Sequence, residues 1–407
     1  MQLRCSQPCS ADPSLFREDR VCPGCGAPLE LVPERPSATA AELRALWSER
    51  RSSIESADRS GVWRFRELLA GVAPNVADIV TLGEGNTPVL RGLATGRFAG
   101  VNDLFIKHLG WNPTGSFKDL GMTVAVTRAA VRGAKFVACA STGNTAASMA
   151  AYAVRAGLKA RVFLPESVAS AKVAQAEAYG AELVRVGGNF DDALAGMLAG
   201  ADDSTYVLNS LNPFRVAGQK TFTIELMEQL GWKSPDVIAL PGGNLGNVSA
   251  VGVALDDLMA LGLIDRMPRV AVIQAEGANP FVRMWRSGAD HLTPVKDPKT
   301  IATAIRIGAP VSWRKAVRTL KMTNGTTIDV SDDEIAEARQ VIGRDGIGCE
   351  LGSAAALAGI KSLRASGWIG EQERVICILT GHLLKEPGTA EAKPEPAEAR
   401  AKVESGC

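Results

Sequence analysis

The residues best suited to do chemistry lie in the segment Asn112-Pro113-Thr114-Gly115-Ser116-Phe117-Lys118-Asp119. A lysine held at a glycine- and serine-rich turn can act as a nucleophilic amine that forms an imine with a carbonyl compound. Most lysines are solvated charges, so this segment does not decide alone. Three further turns add anion chemistry. Gly242, Gly243, Asn244, Leu245, Gly246 and Asn247 follow an apolar run and precede a helical pattern. Their backbone N–H groups can converge on a phosphate, although any strand-to-helix turn also uses glycines. The turn is neither a dinucleotide fingerprint, since the third glycine is missing, nor a P-loop, since no Gly-Lys-Ser/Thr follows. Ser141, Thr142, Gly143, Asn144 and Thr145 form a second such junction, able to grip a carboxylate or phosphate; Asn144 can equally be a plain helix cap. Asn209, Ser210, Leu211, Asn212, Pro213, Phe214 and Arg215 place a guanidinium fork near small polar groups, which suits phosphate oxygens or a surface ion pair. An amine together with phosphate cradles suggests pyridoxal phosphate, an aromatic aldehyde carrying a phosphate.

Cys5, Cys9, Cys22 and Cys25 are spaced C-x3-C, a twelve-residue gap, then C-x2-C, with Pro23 and Gly24 tightening the second pair. The spacing suits a tetrahedral Zn2+ ribbon in which metal replaces a core that so short a segment cannot build; the alternative is an extension whose thiols are simply reduced. Four cysteines would close the coordination sphere, making the zinc structural. Cys139, Cys349 and Cys377 lie in apolar segments and read as buried small hydrophobes. His108, His291 and His382 are too scattered for a triad or metal site, and His382, beside Thr380, reads as support for a cleft wall. The seven tryptophans read as packing residues.

The elements that must position these groups alternate between strand and helix, the mark of parallel α/β layering. Strands are expected at 135–140, 160–164, 182–186, 206–208, 237–240, 269–274 and 374–379. Helices are expected at 41–59, 168–179 and 191–198, after Asn247, and behind a capping box of Ser331 and Glu334. The fold class is therefore α/β, two open parallel-sheet domains with a cleft at the carboxyl ends of their strands. The expected division is residues 1–36 as the zinc-ribbon-like module, 37–110 as a linker helix and the start of a large domain, 111–208 as a small α/β domain, 209–387 as the large domain, and 388–407 as a disordered tail. Pro33 and Pro36 mark a linker. The 407 residues are 46% hydrophobic and carry a net charge of +1, which gives no electrostatic reason for nucleic acid or anionic membrane as partner. No membrane-length apolar run and no signal pattern is present, so a cytoplasmic location is expected.

In chain order, GEGNTP (83–88), NPTGSFKD (112–119), STGNT (141–145), GNFDDAL (188–194), NSLNPFR with GQK (209–215, 218–220), GNLGN (243–247), TIATAIRIG (300–308) and TGHLLKEP (380–387) resemble threonine synthases, pyridoxal-phosphate enzymes of fold type II related to the tryptophan synthase β-chain. The blocks span roughly the whole catalytic body in the family's order, which no single motif does.

The resemblance implies an enzyme, a carbon–oxygen lyase converting O-phospho-L-homoserine and water to L-threonine and phosphate by γ-elimination and β-addition. It implies that Lys118 holds the cofactor covalently and then moves protons. Asn144 would bond the cofactor's phenolic oxygen, Gly243, Asn244, Leu245, Gly246 and Asn247 its phosphate, and Thr380 its ring nitrogen. Thr87, Ser141, Thr142, Thr145, Ser210 and Arg215 would meet the substrate, a small phosphorylated amino acid, and a homodimer is the implied assembly. Some positions depart from the family's pattern: Leu120 for arginine, Gly242 for valine, Leu351 and Gly352 for Pro-Ala, Leu383 for glycine, and Glu386 for aspartate. Those departures leave two neighbouring activities open, a paralogue acting on O-phosphoserine and a threonine dehydratase-like lyase. The latter usually has histidine where Thr145 stands. A non-catalytic binding protein on the same scaffold is the alternative of another class, against which the intact Lys118 and Thr380 speak.

Overall fold

The computed structural model describes residues 2–17, 21–32, 34–69, 71–168 and 173–386. The tail expected at 388–407 and Pro33 of the expected linker lie outside the described residues.

Twelve strands are present: β1 (Gln2–Cys5), β2 (Leu29–Val32), β3 (Val89–Arg91), β4 (Asp103–His108), β5 (Phe136–Ala140), β6 (Lys159–Pro165), β7 (Glu182–Val186), β8 (Thr205–Val207), β9 (Val237–Pro241), β10 (Arg269–Ala275), β11 (Thr326–Val330) and β12 (Arg374–Leu379). They form three sheets: the antiparallel ribbon β1-β2, a six-stranded sheet in the order β11-β10-β9-β12-β4-β3, and a four-stranded sheet in the order β7-β6-β5-β8. The four-stranded sheet is wholly parallel. In the larger one only the edge strand β3 runs antiparallel, against β4.

The apolar runs of β9, β10 and β12 read as continuous because the sheet is covered on both faces. Ile238, Leu240, Val270, Val272, Ile376 and Ile378 enter one core with Val251, Leu255 and Leu320. Their neighbours Val237, Ala239, Ala271, Ile273, Val375 and Cys377 enter a second core with Ala338, Val341 and Ala354. Alternation along each strand thus feeds two helical layers. The capping box of Ser331 and Glu334 starts the helix Asp332–Arg344.

Two helix expectations are corrected. The surface helix expected at 41–59 is Ala40–Arg51, followed by a separate short turn of helix at Ser56–Arg59. It stops at the serine pair Ser52-Ser53, where the Ser53 hydroxyl accepts from the Glu55 N–H and diverts the chain. Of the helix expected at 168–179, the described part is Ala174–Ala178, and 169–172 lie outside the described residues. The strands β1, β2, β3, β4 and β11 were not in the expected set; β4 hides a lysine, Lys107, in a buried position, which breaks its apolar pattern.

Candidate active site

Every turn singled out for chemistry lies at the carboxyl end of a strand, where open α/β sheets bind ligands. Ser141–Thr145 follows β5, Asn209–Arg215 follows β8, Gly242–Asn247 follows β9 and Thr380 follows β12. The Lys118 segment is tied to the last of these: the Phe117 N–H donates to the Thr380 carbonyl at 2.9 Å, and Ser116 bridges to Gly381.

Lys118 opens the helix Lys118–Val131. Among the described residues its Nζ has no hydrogen-bond or ion-pair partner, and it sits 4.0 Å over the Phe117 ring. The protein packed around it strips most of its hydration, and this, reinforced by the nearby Arg215 cation and opposed by the Glu350 carboxylate, brings the amine down to about 7. At neutral pH a large share of the side chain is therefore a free amine, the form that attacks a carbonyl.

Arg215 lies on the short helix Pro213–Gln219 and is only 2% exposed. Its contacts are long, Nη1 to the Leu208 carbonyl and Nη2 to Thr145 Oγ1, both at 3.4 Å, and its Nε is buried without a partner. No carboxylate pairs with it among the described residues, so the surface ion-pair alternative does not hold. A buried guanidinium this poorly satisfied fits a site built to take an anion.

The glycine turn has the corresponding form. Leu245 adopts a left-handed conformation, φ 63°, and the helix Gly246–Ala260 follows. Ser249 donates to the Leu245 carbonyl at 3.0 Å, so the N–H groups of the turn just before it lack intrahelical acceptors. Asn247 is spent on structure, its Nδ2 donating to the Pro241 carbonyl at 2.7 Å, and Asn244 Nδ2 reaches Ser210 Oγ at 3.4 Å. Gly242, one of the departures, packs closely, since a Cβ there would come within 2.6 Å of Val272 Cγ1 and would require that side chain to shift.

Glu350 is the residue that the sequence did not single out. It is 3% exposed, and its carboxylate accepts from Asn144 Nδ2 at 2.9 Å and from Thr380 Oγ1 at 3.3 Å. One buried acid thus joins two residues expected to hold opposite parts of one ligand. Burial pushes its carboxyl up. Ser353 completes this corner, 3.0 Å from Thr380 Oγ1 and accepting the Thr380 N–H at 2.9 Å. Asp119 was also passed over. It accepts from the Thr114 N–H at 2.7 Å, the Thr114 hydroxyl at 2.6 Å and the Ser148 hydroxyl at 2.5 Å, fixing the loop that carries Lys118. Glu350 stands as a lone acid beside an apolar helix, and Asp119 lies directly after Lys118, in the segment singled out, without a role of its own assigned to it.

Ser141 and Thr142 are half-buried beside Asn144 and Thr145, and the Ser141 hydroxyl accepts from the Gly143 N–H at 3.3 Å. Thr87 stands apart. It is 1% exposed, and its N–H and hydroxyl both donate to Glu225, at 3.0 and 3.2 Å. Glu225 also takes the Asn86 N–H and the buried Lys107 ammonium, so Thr87 has a structural partner rather than an open one.

At the other end of the chain, the sulfurs of Cys5, Cys9, Cys22 and Cys25 all lie within 4.8 Å of one another. The Gln7 N–H points at Cys5 Sγ from 3.4 Å, the kind of contact that steadies a thiolate.

The chain was compared with known proteins. The family model described as pyridoxal-phosphate dependent enzyme matches residues 80–381. Among solved structures, maize serine racemase superposes with a TM-score of 0.63 at 20% identity, covering 79% of this chain and 92% of that one. The processed form of threonine deaminase isoform 2 from Solanum lycopersicum gives 0.63 at 19% identity, covering 87% and 93%. Fold and site together define a pyridoxal-phosphate-dependent enzyme of fold type II. Among curated relatives, the threonine synthase of Methanocaldococcus jannaschii is 47% identical over 83% of this chain and 84% of its own length. That of Mycobacterium bovis is 43% identical over 80% and 90%, and that of Synechocystis 42% over 82% and 86%. The chain belongs to the threonine synthase family.

Proposed function

We propose that this enzyme converts O-phospho-L-homoserine and water into L-threonine and inorganic phosphate. The observation that carries the reading is the unpartnered Lys118 amine, tuned to about 7, in one cleft with the unpaired Arg215 guanidinium. The residues fit pyridoxal phosphate: an amine without a partner for its aldehyde, backbone N–H groups at Gly243–Asn247 for its phosphate, and hydroxyl and amide groups at Thr380 and Asn144 for its ring. When bound, the cofactor supplies the electron sink that makes the substrate's α and β protons removable.

The chain's own groups do the rest. Lys118 would remove protons from Cα and then Cβ and deliver protons to Cγ and back to Cα, while phosphate leaves Cγ and water adds its hydroxyl at Cβ and gives its remaining proton to the released phosphate, work that suits an amine whose pKa lies near neutrality. Arg215, with Thr145, Ser141, Thr142 and Ser210, holds the substrate's anionic groups and steadies the phosphate as it leaves Cγ. Asp119 keeps the Lys118 loop in place through Thr114. Glu350 orients Asn144 and Thr380 together. Phosphate release and product identification on O-phosphohomoserine and, separately, O-phosphoserine test this reading. Threonine from the first and little turnover of the second is expected; the reverse preference assigns the chain to the O-phosphoserine branch.

The four cysteines are proposed to hold a structural Zn2+, supported by their convergence and by the scarcity of buried apolar side chains among the described residues of that ribbon. Residues 111–208 are proposed to act as the small domain that closes on 209–387 and the start of the large domain within 37–110. The same kinship makes a homodimer the expected assembly, which sedimentation tests. No helix among the described residues is long and apolar enough to cross a membrane.

A further inference from the structure

We infer that the four-cysteine module, closed by its metal, is a buttress for the Gly243–Asn247 loop, so that zinc occupancy sets the affinity for the cofactor's phosphate. This rests on the two roles proposed above for the cysteines and the loop.

The module cannot hold its shape unaided. Among the described residues of 2–32 the buried apolar side chains are Cys22, Ala27 and Leu29, too few for a core. The β1-β2 register sets Cys5 opposite Leu29 and Arg4 opposite Glu30, so a metal at the ribbon's end fixes where Glu30 points. Glu30 is the docking residue. Its carboxylate accepts from Arg318 Nη2 at 2.6 Å and Nη1 at 3.2 Å, and from Arg4 Nε at 3.2 Å. Lys315, itself buried, donates to the Leu29 carbonyl at 3.2 Å and lies 3.9 Å from Glu30. Gln7, with its amide oxygen toward Arg314, accepts from Nη1 at 3.0 Å and Nε at 3.2 Å. Arg314, Lys315 and Arg318 all belong to the helix Trp313–Met322.

That helix is held from its other side by the cofactor loop. The Ser312 N–H, immediately before it, donates to the Asn244 carbonyl at 3.2 Å. Farther along, Thr319 Oγ1 donates to the Val248 carbonyl at 3.2 Å. Thr319 also fills a notch left by Gly252, where a Cβ would collide with that hydroxyl. Asn244 is in the loop, and Val248 and Gly252 are on the helix that begins at its end. A short run of packed contacts therefore joins the cysteine sulfurs to the loop through one helix. Loss of the metal releases Glu30, leaves two cations of that helix without their carboxylate, and frees the Ser312–Asn244 contact to shift.

The test uses the full chain as wild type, Cys25→Ser and Arg318→Gln, reading zinc per chain by elemental analysis, the dissociation constant for pyridoxal phosphate by absorbance titration, and thermal unfolding. The wild type is expected to carry one zinc. Cys25→Ser is expected to lose it and to bind the cofactor about tenfold more weakly. Arg318→Gln should keep its zinc and still lose affinity, because it cuts the link and spares the metal; it decides the matter if Cys25→Ser does not fold. Unchanged cofactor affinity in either folded variant overturns the coupling. A cofactor-loaded wild type without zinc overturns the metal assignment and the inference with it, whereas failure of the wild type to bind the cofactor defeats the function proposed above.

Discussion

The role proposed for Lys118 rests on what surrounds it. Its pKa of about 7 comes first from burial, then from the Arg215 cation, with Glu350 pulling the other way. The rate at which the cofactor-free protein captures pyridoxal phosphate should therefore rise through pH 7 and level above about 8 to 9, following the free amine. Arg215→Gln removes a neighbouring positive charge and should move the midpoint up, and Glu350→Gln removes a negative charge and should move it down; a wild-type midpoint near that of a free lysine would contradict this account of the site. The positions of Lys118 and of the polar turns at the strand ends were legible in the sequence because glycine, hydroxyl and amide residues cluster around them. The roles of Glu350 and Asp119 were not, since a single acid looks like any other until its burial and its donors are known. Thr87, expected to meet the substrate, has a partner that only the structure reveals. It sits in a motif that looks functional, yet Glu225, far along the chain, takes up both its N–H and its hydroxyl.

Elements were legible where one pattern governs them. The strands β7 and β12 match their expected limits because both are bounded by turn residues, while β4 was missed because Lys107 interrupts it. That lysine is satisfied by the Thr87 carbonyl at 2.7 Å and by a distant helix, Thr221–Gln229, through Glu225 and Gln229 Oε1 at 2.8 Å. Glu225 is therefore the residue on which the GEGNTP loop and the buried Lys107 both depend. Glu225→Ala should cost about 3–5 kcal/mol in chemical denaturation, as expected when one partner of a buried pair is removed, and a loss below about 1 kcal/mol would show that the network matters little. Two departures from the family pattern meet in one contact: the Leu351 N–H, absent in the proline it replaces, donates to Glu386 at 2.8 Å. Leu351 is the first residue of the helix Leu351–Ala365, where proline is well tolerated, so Leu351→Pro removes the bond without breaking the helix, together with some of the buried leucine's packing. It should cost about 1–3 kcal/mol, and a neutral result would mean that Glu386 finds an equal partner elsewhere.

In the whole molecule, the cleft is assembled from the carboxyl ends of two separate sheets, with Arg215, Ser141 and Thr145 on the side of the four-stranded sheet and Thr380 and the glycine loop on the side of the six-stranded one. Anions that bridge them should draw the two together, so phosphate or a non-reactive substrate analogue is expected to compact the cofactor-loaded enzyme in small-angle scattering; superimposable profiles with and without ligand would count against closure. The pairing of strands distant in sequence, such as β9 beside β12, was beyond the reach of local pattern, which is why the sheet order emerges only from the structure. The functional expectations all depend on Lys118 being the residue that holds the cofactor. Borohydride reduction of the purified, cofactor-loaded protein followed by peptide mapping tests that most directly. The account predicts a pyridoxyl group on the peptide containing Lys118 and none on those containing Lys107, Lys220 or Lys385; a modification on one of these, or none at all, would contradict it.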